Sequence, residues 1–240
     1  MTRLLDKVAI VTGSSKGIGF ECAKILAEES AKIVMNARGE DDLEKSAEAI
    51  RAMGGRVATV AGDIGNRAVC ERVLAAAKSE FGGLDILVNN AGIGRFVEVE
   101  NMTDEDFDSV MRTNLYGVFY MCRGAVPMME ARGGGYIINI SSLAGQNTFA
   151  RGGAYCASKH ALNGFSECLM LEVRQRNIAV SYVCPGSVET SFGHSSPSED
   201  NSWRQSARDV AQVVRDLIIG TSARTLVSKV EMRPMKPKRS

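Results

Sequence analysis

The sequence is short of net charge, of histidine and of any long apolar run. Its 29 Lys and Arg residues against 28 Asp and Glu leave a formal charge of +1, so no global field gathers nucleic acid or an anionic membrane. The basic end Lys236-Pro237-Lys238-Arg239 reads as a solvated tail. Two histidines, His160 and His194, are too few for a His-rich metal site. The six cysteines, at 22, 70, 122, 156, 168 and 184, form no C-x-x-C pair and no cluster with metal-ligand spacing. Free thiols in a reducing cytoplasm are expected, and no metal. No apolar stretch reaches the ~20 residues of a membrane-spanning helix. The opening Met1-Thr2-Arg3-Leu4-Leu5-Asp6-Lys7 runs into a strand-like segment with no secretory signal.

What is present is the balance of a globular protein: 240 residues, 45% hydrophobic and 24% charged. Apolar runs at 8–11, 32–36, 56–60, 86–89, 136–140, 178–183 and 225–227 are continuous rather than alternating, as in parallel strands covered on both faces. Helical periodicity fills 19–29, 41–53, 67–81, 103–130, 153–174 and 207–219, with Thr103 and Asp106 spaced as a capping box. The alternation predicts one Rossmann-type α/β domain over 1–240, a doubly wound, mostly or wholly parallel seven-stranded sheet. The polar stretch 193–201 follows a late strand, where ligands bind, so residues 187–206 are expected to form a flap over a substrate.

The first strand ends in Thr12-Gly13-Ser14-Ser15-Lys16-Gly17-Ile18-Gly19, and a helix follows. Gly13 suits a tight turn, Gly17 a close approach of backbone to a pyrophosphate, and Gly19 close helix–strand packing. Anions are favoured at the helix N-terminus, with Ser15 and Ile18 in the same turn. A carboxylate at the second strand's tip would bind the ribose of NAD. Here Ala37 stands there, followed by Arg38. With Lys16 this gives two cations and no acid, which favours NADP(H) over NAD(H). Asp63 closes the third strand and is placed either to accept from an adenine amino group or to cap the next helix near Asn66. Asn89-Asn90-Ala91-Gly92 closes the fourth, with small residues against which a ribose packs.

Tyr155 and Lys159 are four apart on a helix and share a face. A phenol is a poor acid near neutrality, and a neighbouring ammonium is expected to lower its pKa. Ser142 ends the fifth strand, placed to donate to a substrate oxygen. Together these point to proton transfer at a carbonyl or alcohol.

Taken in order, T-G-x-x-x-G-I-G (Thr12 to Gly19), N-N-A-G (Asn89 to Gly92), Asn114, Ser142, Y-x-x-x-K (Tyr155, Lys159) and Pro185-Gly186 resemble the short-chain dehydrogenase/reductase family over essentially the whole chain. Its 3-oxoacyl-thioester reductases come to mind most readily. The resemblance implies that Asn114 interrupts a helix and holds a relay water. It implies that Lys159 binds the nicotinamide ribose, that Ile64 adds a backbone contact beside Asp63, and that Pro185, Gly186, Val188 and Thr190 lie along the nicotinamide. The segment after Pro185-Gly186 is short for the family, which argues against a steroid-sized pocket.

Gly94, Arg95, Phe96, Ala144, Gln146, Phe149, Arg151, Phe192 and Trp203 are candidates to line the substrate pocket. Arg95 and Arg151 are placed either to receive an acidic group or as surface arginines. The helix from Thr103 carries Phe107, Val110, Met111, Leu115, Val118, Phe119 and Cys122 around much of its circumference, which predicts burial on more than one side, as core or as a subunit interface. The family resemblance implies a homodimer or homotetramer paired through this helix and the Tyr155 helix. Two rival functions stand beside the oxidoreductase. A non-catalytic NADP(H)-binding regulator is disfavoured by the full set of reactive residues, and an epimerase or dehydratase by the short C-terminal portion.

Overall fold

In β1 (Val8–Thr12), successive side chains enter two separate cores: Ala9 and Val11 one, Val8 and Ile10 the other, all without solvent exposure. A strand covered on both faces needs helices on both, and the chain supplies them. The computed structural model, which describes residues 3–190, 192, 201–222 and 224–236, continues through α1 (Gly17–Glu28), β2 (Lys32–Ala37), α2 (Glu40–Arg51), β3 (Arg56–Ala61), α3 (Arg67–Phe81) and β4 (Ile86–Asn89). It goes on through α4 (Asp104–Met111), α5 (Gly117–Glu130), β5 (Gly135–Ile140), α6 (Gly153–Val173), β6 (Ile178–Pro185), α7 (Ala207–Gly220) and β7 (Lys229–Met232).

The strands form one sheet in the order β3-β2-β1-β4-β5-β6-β7, and every pairing is parallel. Residues of α1, α2 and α7 pack on one face, with Cys22, Leu43 and Val214 among them. Residues of α3, α5 and α6 pack on the other, with Val73, Met121 and Leu162. The fold is therefore a Rossmann-type α/β sheet, as the sequence predicts. The strand order reverses between β1 and β4, and that crevice is where such sheets bind ligands.

Two expectations need correction. The seventh strand is Lys229–Met232 rather than the apolar run 225–227. β7 lies at the sheet edge, where one side faces solvent, so its exposure alternates along Lys229, Val230, Glu231 and Met232. A continuous apolar run marks an interior strand; an edge strand alternates. The helix expected over 103–130 is divided by a π-turn at Arg112–Tyr116, the interruption at Asn114 that the family resemblance implies. The Thr103–Asp106 capping box forms as predicted, and a second one, Ser206 with Asp209, opens α7. Among the described residues no helix is long and apolar enough to cross a membrane, and no cluster suits a metal ion.

Candidate active site

The glycine turn is held by the strand next to it. Thr12 Oγ1 accepts from the Asn90 and Ala91 N–H groups at 3.0 and 3.1 Å. The Asn90 amide donates to the Thr12 and Gly13 carbonyls, both at 3.0 Å. Gly13 lies in the left-handed region at φ +64, and a Cβ there would stand 2.8 Å from Ala91 Cα. A Cβ on Gly19 would stand 2.2 Å from the Gly13 carbonyl oxygen. These glycines are steric requirements of bringing α1 against the turn.

The N-terminus of α1 has no side-chain cap and no acid in its first turn, so its N–H groups are left for a ligand. Lys16 and Arg38 are exposed, and neither forms an ion pair among the described residues. A Cβ on Gly17, at φ +58, would lie 3.2 Å from Thr190 Cγ2, so the segment after β6 closes over the turn. Backbone pairing of Ser187 and Glu189 with Gln205 fixes that segment. An uncapped helix, glycines that a Cβ would obstruct and two unpaired cations fit a dinucleotide phosphate. Of the flap expected over 187–206, residues 191 and 193–200 lie outside the described residues.

Asp63 is exposed and its Oδ1 accepts from the Gly65 N–H at 2.8 Å. The cap of α3 is Asn66, whose Oδ1 accepts from the Ala68 N–H at 2.9 Å. Asp63 thus keeps its second oxygen at the mouth of the crevice, and Ile64 is buried beside it. Pro185 ends β6, and the Gly186 N–H donates to the Met232 carbonyl at 2.8 Å.

The reactive side chains meet beyond β4, β5 and β6. Ser142 lies within hydrogen-bonding reach of the Tyr155 hydroxyl, and its Oγ also accepts from the Ala144 N–H at 3.1 Å. Lys159, 4% exposed, has Nζ 5.8 Å from the centre of the Tyr155 ring and donates to the Ile140 carbonyl at 2.8 Å. Asn114 sits in the π-turn with its amide turned inward. Its Oδ1 accepts from the Ile93 N–H at 2.8 Å, and its Nδ2 donates to the Ile93 carbonyl and to Ser158 Oγ. A Cβ on Gly92 would lie 3.4 Å from Asn114 Oδ1 and 3.7 Å from Lys159 Nζ, so these three groups share one space.

Burial governs both titrations. It pushes the Lys159 ammonium down from 10.5 to about 8. It also pushes the Tyr155 phenol up, and the Ser142 hydrogen bond offsets only part of that rise. The expected lowering of the phenol by Lys159 is not realised here, because the desolvation of the phenolate dominates.

Around Tyr155 stand Phe96 and Phe192, with ring centres 5.6 and 5.5 Å from its own. Phe149 lies 5.9 Å from Phe96. Arg95 is drawn to Asp106 at 3.3 Å, as a surface arginine would be. Arg151 is exposed and holds a left-handed backbone, φ +67, just before α6. Ala144 is buried beside Ser142, the Gln146 side chain is turned to the Cys184 thiol, and Trp203 is stacked on by Arg204.

Positioning residues absent from the sequence-based set are Ser141, Ser158 and Asn163, and Thr12 entered it only as the first residue of the glycine motif, with no role of its own. Ser158 Oγ donates to the Tyr155 carbonyl at 2.8 Å, Ser141 Oγ to Asn163 Oδ1 at 2.5 Å, and Asn163 Nδ2 to the Gly145 carbonyl at 2.9 Å. Their one signal in the sequence was small polar residues inside segments predicted to be buried.

A Rossmann-type sheet with a glycine-turn crevice and a Tyr–Lys–Ser–Asn centre defines the class of dinucleotide-binding oxidoreductases. The short chain dehydrogenase family model matches residues 7–201. A D-beta-hydroxybutyrate dehydrogenase of Cupriavidus necator is 39% identical over 187 residues, 78% of this chain and 72% of that one. A sepiapterin reductase of Chlorobaculum tepidum is 32% identical over 237 residues, covering 96% of this chain and 97% of that one. A crystal structure of a metagenomic short-chain oxidoreductase in complex with NADP superposes with a TM-score of 0.85 at 34% identity, covering 98% and 100% of the two chains. The chain belongs to the short-chain dehydrogenase family and is an oxidoreductase of that family.

Proposed function

We propose that the protein is an NADP(H)-dependent reductase that converts a small or medium ketone, or a 3-oxoacyl thioester, into its secondary alcohol. The observation that carries this reading is the convergence of Tyr155, Ser142, Lys159 and Asn114 at the ends of β4, β5 and β6, beside the uncapped glycine turn. Lys16 and Arg38 hold the 2′-phosphate. The backbone of Gly13, Ser15, Gly17, Ile18 and Gly19 holds the pyrophosphate. Asp63 and Ile64 meet the adenine, and Asn90, Ala91 and Gly92 a ribose. Tyr155, Lys159, Pro185, Gly186, Val188 and Thr190 line the nicotinamide half.

When bound, NADPH supplies a hydride to the carbonyl carbon. The protein's own residues handle the proton. Ser142 already accepts from a backbone N–H, which leaves its O–H to donate to the substrate oxygen. Tyr155 gives its phenolic proton to the same oxygen. Lys159 orients the ribose hydroxyls, and Asn114, fixed by three hydrogen bonds, holds the water through which a proton returns from solvent.

The test is consumption of NADPH and, separately, NADH against ketones, diketones, aldehydes, 3-oxoacyl thioesters and sepiapterin, the last because that relative matches along nearly the whole chain. Turnover with NADPH supports the reading. A flat trace across the panel, from protein that binds NADPH, overturns it in favour of a cofactor-binding regulator.

A further inference from the structure

Resting on that reading, we infer that Phe96, Phe149 and Phe192 are specificity-determining residues that select a carbonyl conjugated to a planar aromatic group over its alkyl counterpart. The three rings come from three chain segments, those following β4, β5 and β6, and gather on one side of Tyr155. Phe96 meets Tyr155 edge-on at 72°, and it meets Phe192 at 6.4 Å and 74°. Phe192 is tilted against Tyr155 at 48°, and Phe149 against Phe96 at 44°. These are the arrangements aromatic rings prefer, with the positive edge of one toward the negative face of another.

The rings do not belong to the core. Phe149 is 49% exposed and Phe192 41%, and neither is among the residues packed into the two buried clusters. Large apolar surface left open beside a reactive hydroxyl is surface that a ligand covers. The backbone is also shaped to admit them. A Cβ on Gly94 would stand 2.6 Å from Phe96 Cζ and 3.2 Å from Phe192 Cζ, and one on Gly152 would stand 2.7 Å from Phe149 Cε2. Two glycines without left-handed φ thus leave space that the three rings use. Arg95, next to Phe96 in the chain, is turned to Asp106. A planar ring entering this enclosure gains edge and face contacts worth up to about tenfold each in affinity beyond its buried area. An alkyl group gains the area alone.

The test pairs phenylpropanedione with butanedione, which present the same vicinal diketone with and without an aromatic ring. The expected result is a wild-type kcat/KM ratio of at least about tenfold in favour of the phenyl compound. That ratio should collapse in the Phe96→Leu/Phe149→Leu/Phe192→Leu variant and fall in Gly94→Ala, which keeps every ring but displaces Phe96. A ratio near one in wild type, or one that the substitutions do not move, overturns the inference. Calorimetric binding of both diketones to the protein–NADP+ complex gives a readout independent of turnover. Preferential phenyl binding that is lost in the triple variant supports the inference even if neither diketone is reduced, and equal binding refutes it. Absence of all turnover counts against the reductase reading alone.

Discussion

Burial moves Tyr155 and Lys159 in opposite directions for one reason: each is disfavoured in its charged form. The phenol therefore holds its proton until a substrate oxygen draws on it. Tyr155→Phe is expected to keep cofactor binding while losing about 100-fold or more in turnover, measured by fluorescence titration beside NADPH consumption. For Lys159 the pKa is about 8 in the folded protein against an ordinary 10.5. Between those values the unfolded chain binds more protons than the folded one, so stability rises with pH through the window. The buried thiols of Cys22, Cys70 and Cys122, pushed up from 9.0, act in the opposite sense. The measurement is therefore the difference in urea midpoint between the cofactor-free wild type and Lys159→Met, which should move in favour of wild type as pH rises through the window. Arg38 stands alone at the tip of β2 with Ala37 where an acid would favour NAD. Arg38→Asp is expected to reverse the preference between NADPH and NADH, and an unchanged ratio of dissociation constants would refute the assignment of that cation.

At the scale of elements, Asp85 joins the start of β1, the start of β4 and the end of α5. Its carboxylate, 4% exposed, accepts from the Val8 N–H at 2.9 Å and pairs with Lys7 at 3.2 Å and Arg132 at 2.9 Å. Burial alone would raise its pKa, but the bonds from Arg132, Val8 and Lys7 outweigh it and hold the group below 3.8. A carboxylate lowered by folding contributes stability above its ordinary pKa and loses it as pH falls through the folded value. Asp85→Asn takes the buried carboxylate from the Val8 N–H and from two solvent-accessible cations and is expected to cost about 1–3 kcal/mol, read from urea denaturation at neutral pH, with a shallower loss on acidification than wild type. The sequence made interior strands legible because runs such as Val8-Ala9-Ile10-Val11 must be apolar on both faces. It made β7 illegible by the same rule, since Lys229 and Glu231 belong to an edge that only half needs covering. The reactive side chains were legible because few residue types can do their chemistry. Thr12, Ser158 and Asn163 were not, because their work is to satisfy backbone groups that appear only once the strands are assembled. The lowered phenol was misread for a related reason: the four-residue spacing of Tyr155 and Lys159 does not say how completely the folded chain takes the phenol out of water.

For the whole molecule, an aromatic face remains open on the side of α4, α5 and α6. Phe107, Tyr116, Phe119 and Leu171 are between 39% and 56% exposed, and Arg123 lies over the rings of Phe119 and Tyr120. A homo-oligomer that covers this face is the expected state, checked by light scattering coupled to size exclusion. Phe119→Glu with Leu171→Glu should shift it to monomer, and a monomeric wild type would refute the expectation.

The clamp between Thr12 and the Asn90–Ala91 pair spans 78 and 79 positions of chain. The glycine turn is thus a local motif whose working shape is a long-range contact, completed only when β4 has docked beside β1. A fragment ending before β4 carries every glycine of the turn and lacks the hydroxyl's partners. Nucleotide affinity is therefore expected to depend on the docking of β4 beside β1 and not on the motif alone. The Asn90 and Ala91 amides are expected to exchange with solvent only when that clamp opens, locally or with the sheet.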